Sequence, residues 1–369
     1  MTEESHDPQP ARGGTNPANM QGRPQLFLAL AISFVLVLGV ISAALYFNRQ
    51  PTASPGPSPT VTSTPTETPT PTPTPAPAPP PPPPPPPEPP PVAMNILLIG
   101  SDIRGDARAA EAERGFTGQR ADHRADVLML VHVPADRQHI YGISLMRDLW
   151  VDIPGYGGSK INASLEIGGV PLVHHTVSTL LNSPIDRTIM VDFDGIKHIA
   201  EILGGVEVNV PIPFTSTHDA RDHFPAGINK LYGSQLLQFL RERYAFSDGD
   251  YQRVRNQQTF LRSLLAQALN YSWLAEPNKA RDMVVAVAPH VTLDPSADLA
   301  ELGRLAYSLR GTRPENTIFF TLPTAGTGFS ADGQSIVLQN PAATAAVGAA
   351  LSEGRIGEYI AANGLSAGN

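Results

Sequence analysis

The pattern of hydrophobic and polar positions divides the chain into four parts. Residues 1–24 are polar and show no apolar period, so we expect a disordered tail. Residues 26–47 form a run of 22 positions without a charge. A helix of that length spans roughly 33 Å, enough to cross a hydrocarbon core of about 30 Å. Residues 48–92 are dominated by proline, and residues 93–369 alternate between short apolar runs and amphipathic segments. This order predicts a tail, a transmembrane helix over 25–47, a linker and a globular domain.

The apolar run 26–47 has a second interpretation, a cleaved signal peptide, because residues 42–44 are small and lie near its end. Signal-peptide cores are shorter, at ~7–15 residues, and a polar tail precedes this one, so we favour an uncleaved anchor. Arg12 and Arg23 precede the span, whereas Arg49 alone follows it closely. The positive-inside rule therefore predicts a cell-membrane protein with a cytoplasmic N-terminus and an extracytoplasmic globular domain.

The linker contains most of the proline of the chain, with 22 of the 39 prolines between residues 51 and 91. Proline lacks the backbone donor that helices and sheets require, so this block cannot build a packed core. In the polyproline II conformation, at about 3.1 Å per residue, it would extend on the order of 130 Å. We interpret it as a spacer that holds the globular domain away from the membrane. The alternative is a ligand for proline-recognition domains.

The globular part predicts an α/β fold in one domain, because strands alternate with helices along it. Apolar or alternating runs predict strands at 94–100, 127–133, 139–145, 188–193, 205–210, 316–322 and 335–338. Helical spacing predicts helices at 170–181, 196–203, 234–245, 253–269, 279–288, 297–309 and 341–361. We divide the domain into a core at 94–270, which holds the motifs below, and a helix/strand extension at 271–369.

Composition and charge exclude several classes of function. The chain has 26 basic and 34 acidic side chains, a net charge of −8, which argues against nucleic-acid binding through bulk positive charge. It has no cysteine, which excludes disulfides, thiolate zinc sites, iron–sulfur clusters and a cysteine nucleophile. The motifs GxSxG, HExxH and GxGxxG are also missing.

What remains is a set of acidic and basic side chains at predicted strand ends and on one predicted helix. They are Asp102, Arg104, Arg124, Asp126, Arg147, Lys160, Arg241, Arg243, Arg253 and Gln257. Singly, such residues are usually turn residues or part of a solvated helix face. Together they suggest a ligand crevice, because crevices form at strand ends in α/β sheets. Carboxylates hold Mg²⁺ together with substrate phosphates, and arginine binds phosphate bidentately, so we predict a magnesium–diphosphate ligand.

These residues lie in segments that resemble the LytR-CpsA-Psr family of bacterial cell-wall glycopolymer transferases. The segments are NILLIGSDIR (95–104), RADVLMLVHV (124–133), ISLMRDLWVDIPG (143–155), KINAS (160–164), LGGVEVNVP (203–211) and RERYAFSDGDYQRVRNQQ (241–258). The resemblance implies an α-β-α sandwich around a central mixed sheet, and an anchor and spacer agree with the architecture of the family. The C-terminal segment is similar to that of actinobacterial members, which implies an actinobacterial host.

The resemblance also implies a reaction. Family members transfer the phosphoglycosyl part of a polyprenyl-pyrophosphate-linked glycopolymer to a sugar hydroxyl of peptidoglycan. Asp102 and Asp126 match the acids associated with catalysis and with Mg²⁺, for which Mn²⁺ is the alternative ion. Arg147 matches an arginine of the reaction centre. Pyrophosphate-binding roles carry over to Arg104, Arg124, Lys160, Arg241, Arg243, Arg253 and Gln257. The implied partners are the lipid-linked glycopolymer, peptidoglycan and the membrane.

The chain departs from the family pattern at Met146, where proline is common, at Ala125, where serine is usual, and at Asn256, where arginine often occurs. Arg255 lies one position before Asn256, a rotation of roughly 100° on a helix, so the sequence leaves its equivalence open. Two other functions stay open, a polyprenyl-pyrophosphate pyrophosphatase and a non-catalytic wall-binding or regulatory module. The general base, Asp102 or Asp126, the polymer, the acceptor sugar and the oligomeric state are also open.

Overall fold

The structure is a computed structural model that describes residues 91–101, 124–218, 220–269, 291–293, 305, 308–309 and 312–365. The predicted tail, the predicted transmembrane helix and all of the linker except its last two residues lie outside these ranges, as do the predicted helix 279–288 and most of the predicted helix 297–309. None of the helices within these ranges combines the length and apolar character that a membrane span requires. Asp102 and Arg104 also lie outside the described residues.

Fourteen strands and six α-helices organise the described part of the chain. The strands of its first half are β1 (Met94–Ser101), β2 (Ala125–Val133), β3 (Ile140–Leu145), β4 (Trp150–Ile153), β5 (Gly157–Lys160), β6 (Arg187–Asp192) and β7 (Val206–Val210). The later strands are β8 (Phe214–Thr215), β9 (His223–Phe224), β10 (Gly227–Leu231), β11 (Val291–Leu293), β12 (Thr317–Thr321), β13 (Thr324–Phe329) and β14 (Ser335–Gln339). The helices are α1 (Ala163–Leu181), α2 (Phe193–Ile202), α3 (Gly233–Arg241), α4 (Asp250–Leu269), α5 (Pro341–Ser352) and α6 (Ile356–Ala362).

The central sheet has six strands in the order β11-β6-β1-β2-β3-β12. It is mixed, because β1 pairs antiparallel with β2 but parallel with β6, and β3 pairs antiparallel with β2 but parallel with β12. The register places Ser101 opposite Ala125 and Leu128 opposite Leu145. The end of β1, the start of β2 and the end of β3 therefore meet at one edge, as the strand-end prediction requires.

Helices cover both faces of this sheet, which confirms the predicted α/β sandwich. Every residue of β2 is buried, as expected for a strand covered on both sides. Adjacent residues of β2 face different cores: Met129 packs with residues of α2, α3 and α4, whereas Leu128 packs with residues of α1, α5 and α6. The apolar run of β2 is continuous in the sequence because its alternate side chains fill the cores on opposite sides of the sheet.

Several element boundaries differ from the predictions for local reasons. Helix α1 begins at Ala163, and a kink at Gly168 and Gly169 separates its first turns from the predicted stretch 170–181. Gly169 has a φ of 64°, a conformation that costs glycine least. The predicted helix 341–361 is two helices, because Gly354 has a φ of 67° between α5 and α6. Helix α3 ends at Arg241 instead of residue 245.

Residues 150–160, where the sequence analysis predicted no strand, form a β-hairpin. Strands β4 and β5 pair antiparallel, with Trp150 opposite Lys160 and Ile153 opposite Gly157. The Ile161 backbone N–H then donates to the Leu149 carbonyl, which closes the base of the hairpin. Lys160 therefore returns to the strand end that carries Arg147, although 13 residues separate the two in the sequence.

Candidate functional site

The centre of the candidate site is a buried pair formed by Asp126, at the start of β2, and Arg147, directly after β3. An Arg147 terminal nitrogen lies 3.3 Å from Asp126 Oδ1, and the two side chains are 8% and 2% exposed. The antiparallel pairing of β2 and β3 positions both residues at the same edge of the sheet. The structure thus brings together two of the residues that the sequence analysis assigned to one crevice.

Asp250, the first residue of α4, joins three arginines to this pair. Its carboxylate lies 2.6 Å from Arg253, 3.8 Å from Arg243 and 3.9 Å from Nε of Arg147. Arg253 lies one turn further along α4, so its ion pair with Asp250 follows from helical spacing. Arg147 and Arg243 reach the same carboxylate from β3 and from the loop after α3. One acid therefore organises guanidinium groups from three elements.

Arg253 shows how closely these charges are coupled. Burial lowers the pKa of Arg253 to about 10, and the nearby cations Arg147 and Arg243 lower it too, whereas Asp250 and Asp126 raise it. A group with a pKa near 10 is still charged at neutral pH. The protein thus keeps a buried guanidinium ionised by placing acids beside it, as burial of a charge requires.

Arg147 retains a hydrogen-bond donor that no described residue uses. Its Nε atom is buried and makes no hydrogen bond, since the oxygens of Asp148 and Asp250 lie 3.7 and 3.9 Å away. Those distances permit electrostatic attraction but exceed normal hydrogen-bond length. A buried donor without an acceptor is costly, and a ligand, a catalytic role or an ordered water can account for it.

Lys160 extends the cationic surface towards the β4–β5 hairpin. Its Nζ lies 3.3 Å from Asp148, whose other oxygen faces Arg147. The resulting group contains four cations and three carboxylates, a small positive excess. Its members are Arg147, Lys160, Arg243, Arg253, Asp126, Asp148 and Asp250. We call this set the arginine cluster.

Other predicted site residues contact different partners. Arg124 pairs with Glu166 at 2.7 Å, and both side chains are nearly half exposed. Arg241 is the last residue of α3 and is partly buried. Gln257 is buried and donates to the Leu240 carbonyl at 3.4 Å, so its amide supports the end of α3. The structure thus brings together four of the predicted basic residues and Asp126.

Sequence reasoning missed Asp250 and Glu242. Asp250 lies in a Ser-Asp-Gly-Asp run that is typical of a turn, and only its i, i+3 spacing to Arg253 signalled the pair. Glu242 is fully buried and accepts hydrogen bonds from the backbone N–H groups of Thr217, Arg243 and Ala245. Burial opposes its charge, but the hydrogen bonds from Thr217 and Ala245 outweigh this and lower its pKa. It fixes the loop that carries Arg243.

The departure at Asn256 is not compensated by Arg255 in the described contacts. Arg255 donates to Gln252 and pairs with Asp248, away from the contacts of Arg253. Asn256 is buried, accepts from Gln252 at 2.9 Å and donates to the Phe239 carbonyl at 3.4 Å. The two positions therefore contribute to helix packing and to a surface pair.

A cavity of about 310 Å³ opens beside the arginine cluster. It lies between the loop 243–251 and the β13–β14 hairpin, and Asp148, Arg243 and Asp250 belong both to its lining and to the cluster. Its size is near the lower end of small-molecule pockets, ~300–1,000 Å³.

The described residues include one of the two aspartates of the expected magnesium site, Asp126. They contain no group of three or more histidine or carboxylate ligands arranged around a common point. Mg²⁺ commonly needs only one or two carboxylates, because substrate phosphates and water complete its shell. Asp126 offers carboxylate oxygens beside cationic side chains that suit phosphate, which fits one such ligand, and Asp102 lies outside the described residues.

Comparisons with known proteins agree with this fold. The model of the LytR_cpsA_psr family matches residues 90–348. Polyisoprenyl-teichoic acid–peptidoglycan teichoic acid transferase TagU of Enterococcus faecalis is 31% identical over 246 residues, 65% of this chain and 73% of that protein. Cell wall biosynthesis protein LcpA of Corynebacterium glutamicum is 27% identical over 282 residues, and the match spans 66% of this chain and 53% of LcpA.

Among solved structures, B. subtilis TagV superimposes with a TM-score of 0.59 at 22% identity, over 72% of this chain and 97% of TagV. At that identity the likeness establishes a shared fold.

Proposed function

The chain belongs to the LytR-CpsA-Psr family, and we propose that it is a transferase that moves a phosphate-linked glycopolymer from a polyprenyl-pyrophosphate carrier to a sugar hydroxyl of peptidoglycan. The E. faecalis relative is a polyisoprenyl-teichoic acid–peptidoglycan teichoic acid transferase, which supports this class of reaction. The proposal does not extend to the polymer that the E. faecalis relative transfers, because that relative is only 31% identical to this chain.

The observation that carries the proposal is the unused Nε donor of buried Arg147 beside Arg243 and Arg253. A diphosphate presents oxygens that accept bidentate hydrogen bonds from guanidinium groups. Three arginines from separate elements match the charge and the number of oxygens of two adjacent phosphates better than they match the single carboxylate of Asp250. Asp250 shields these cations from each other in the absence of substrate, which lowers the cost of burying them.

The chain's own residues then act by positioning and by charge stabilisation. The acceptor hydroxyl oxygen forms a bond to the sugar-linked phosphorus, the phosphoanhydride bond breaks, and polyprenyl phosphate leaves. Arg147, Arg253 and Arg243 stabilise the negative charge that develops on the phosphoryl oxygens. The hydroxyl proton passes to a carboxylate, Asp126 or Asp102. Asp126 also orients Arg147 through their 3.3 Å contact.

We extend the proposal to a divalent cation and to the membrane. Asp126 and Asp102 would hold Mg²⁺, with Mn²⁺ as the alternative, and the ion would supply further neutralisation of the diphosphate charge. Residues 25–47 would anchor the protein in the cell membrane with the N-terminus in the cytoplasm. The proline-rich linker 48–92 would then carry the domain towards the wall, where lipid-linked donor and peptidoglycan meet.

A single assay separates the candidate functions. Full-length protein in detergent micelles receives a labelled polyprenyl-pyrophosphate glycan, with Mg²⁺, and with or without peptidoglycan. A transferase moves label into peptidoglycan and releases polyprenyl phosphate only when acceptor is present. Release that is independent of acceptor indicates a pyrophosphatase, and an absence of turnover in both arms indicates a binding module. Arg147→Ala should abolish the signal, while Arg313→Ala, an exposed arginine paired with Glu315, should not.

A further inference from the structure

Asp250 lies where the guanidinium groups of the arginine cluster meet the cavity. It is the first residue of α4, and its side chain is 19% exposed. It also lines the cavity, together with Arg243 of the loop after α3. Its carboxylate is therefore open to a ligand that enters from the cavity, whereas the Asp126 side chain is only 2% exposed.

Asp250 contacts its three arginines unequally. One oxygen accepts a hydrogen bond from Arg253 at 2.6 Å, and the other lies 3.8 Å from Arg243 and 3.9 Å from Arg147. The last two distances exceed normal hydrogen-bond length. One carboxylate thus attracts three guanidinium groups but is hydrogen-bonded to one of them.

A phosphate offers the same arginines a better partner. It carries at least the charge of a carboxylate and presents more acceptor oxygens, which suit the fork geometry of arginine. Because Asp250 and a phosphate carry charges of the same sign, they repel each other when both lie between these guanidinium groups. A phosphate-bearing ligand therefore has to displace the Asp250 carboxylate, and the adjoining cavity leaves room for that side chain to turn away.

We propose that Asp250 is an internal competitor for phosphate, which holds the arginines of the cluster when the site is empty and limits how tightly they retain a phosphate ligand. The identity of the ligands, a polyprenyl-pyrophosphate donor and a polyprenyl phosphate product, rests on the proposed transferase function. The competition acts on the step after transfer. As polyprenyl phosphate departs, Asp250 returns to the guanidinium groups and promotes release of the product.

The competitor role and a purely structural role predict opposite changes in affinity. Asp250→Asn removes the charge and keeps the size of the side chain. Under either role the variant should be less stable, because buried Arg253 loses its ionic partner. A structural role predicts weaker ligand binding, because the arginines lose their positions. Competition predicts tighter binding, because the ligand no longer has to displace a carboxylate.

The test measures binding by calorimetry on the full-length protein in detergent micelles, with polyprenyl phosphate as the probe, once with Mg²⁺ and once with a chelator. Asp250→Asn should bind the probe about tenfold more tightly than wild type in both conditions. Asp152→Asn, at an exposed position of β4, is the matched control and should bind within about twofold of wild type. Polyprenyl phosphate should also raise the melting temperature of Asp250→Asn more than that of wild type, and should restore folding if the variant is unfolded alone.

The proposal is overturned if Asp250→Asn binds polyprenyl phosphate no more tightly than wild type, or if the ligand neither stabilises nor refolds the variant. Weaker binding that appears only with Mg²⁺ would also overturn it, and would identify Asp250 as a metal ligand. These measurements need no turnover. A failure of the transferase function would therefore appear separately, as tighter binding by the variant without any transfer by wild type.

Discussion

The two ends of the central sheet both bury polar side chains, but they satisfy them differently. At the end formed by the start of β2 and the close of β3, Arg147 and Arg253 are buried as charges beside Asp126 and Asp250. At the opposite end, the buried side chains of His132 and Asn95 are linked by a hydrogen bond, and the Asp186 carboxylate accepts from the Asn95 backbone N–H. The same sheet therefore carries one ionic and one neutral polar centre.

At the His132 end, which we call the neutral centre, both polar atoms of the Asn95 side chain are hydrogen-bonded. The Asn95 side-chain oxygen lies 2.7 Å from His132 Nδ1, and its amide nitrogen donates to Ser183 Oγ at 3.2 Å and to the Pro184 carbonyl at 2.8 Å. Burial lowers the pKa of His132 to about 4, with Asp186 raising it and Arg137 lowering it. His132 is therefore uncharged at neutral pH, as a structural group in a core should be.

The ionic centre, in contrast, contains a buried side-chain donor that makes no hydrogen bond. Arg147 Nε is buried without a hydrogen bond, and two of its carboxylate neighbours lie at 3.7 and 3.9 Å. Fully satisfied buried networks stabilise a fold, whereas partly satisfied ones cost stability and persist where function requires them. We infer that one end of the sheet serves function and the other serves stability. Substitutions at the ionic end should lower the transfer rate, and substitutions at the neutral end should lower the free energy of unfolding.

The largest expected effect is that of Arg147→Ala on catalysis. Loss of one preorganised donor to a developing phosphoryl charge typically lowers the rate ~10²–10³-fold, and we expect a loss in that range. Thermal unfolding should change little, because Asp126 also interacts electrostatically with Arg253. The measurement is initial transfer rate at saturating donor, together with a melting curve. Transfer within threefold of wild type would remove Arg147 from the reaction centre.

Asn95→Leu should give the reverse result at the other end of the sheet. The substitution leaves His132 Nδ1, Ser183 Oγ and the Pro184 carbonyl without their Asn95 partner, and we expect a loss of about 3 kcal/mol in the free energy of unfolding. The transfer rate of the folded fraction should stay within twofold. Asn209→Leu, at an exposed position of β7, is the matched control and should cost less than ~0.5 kcal/mol. A rate loss without a stability loss would contradict the division of roles.

His132 predicts how stability should depend on pH. Its folded pKa of about 4 lies below the ordinary value of 6.5, so the unfolded chain binds the proton first as the pH falls. Stability should decrease between pH 6.5 and pH 4, by about 2 kcal/mol from pH 7 to pH 5. His132→Gln should flatten this part of the profile, measured by urea unfolding at several pH values. If the free energy of unfolding of the variant depends on pH as steeply as that of wild type, groups other than His132 cause the dependence.

Five of the six strands of the central sheet, all except β11, and the convergence of Asp126 with Arg147 could be predicted from the sequence, because both depend on local signals. Apolar runs predicted the strands, and the acidic and basic residues at strand ends predicted the end of the sheet that carries the site. Asp250 and Glu242 could not be predicted as site residues, because their roles depend on tertiary contacts. Glu242 binds Thr217, 25 residues earlier, and so sets the path of the following loop. The β4–β5 hairpin was missed because Gly155–Lys160 has the composition of a loop.

Glu242→Gln tests whether that loop controls the ionic centre. The amide keeps one acceptor oxygen, and its NH₂ group then faces either the Thr217 N–H or the Arg243 and Ala245 N–H groups, so the loop should shift and displace Arg243 from Asp250. We expect transfer to fall about tenfold, with part of the loss in donor KM. Glu353→Gln, at an exposed ion pair, is the control. An intact rate in Glu242→Gln would show that Arg243 is positioned without this carboxylate.

The lowered pKa of Glu242 adds a pH signature to this comparison. Burial raises that pKa, but the hydrogen bonds outweigh burial, so the ionised form stabilises the folded state above the ordinary value of 4.5. The stability advantage of wild type over Glu242→Gln should therefore be full near neutral pH and should vanish as the pH falls through the lowered folded value. Unfolding free energies at neutral and acid pH measure this difference. An advantage that grows on acidification would have the wrong sign.

The smallest expected effect is that of Arg255→Ala, which tests the outer limit of the ionic centre. Arg255 is about one-third exposed and pairs with Asp248 and Gln252, so its loss should cost less than ~1 kcal/mol of stability. Transfer should stay within threefold of wild type, whereas Arg253→Ala, two residues earlier on α4, should lower it about a hundredfold because that guanidinium is buried against Asp250. Parallel rate measurements on both variants decide the matter. Equal losses would mean that Arg255 swings into the site with substrate and performs the task of the arginine that Asn256 replaces.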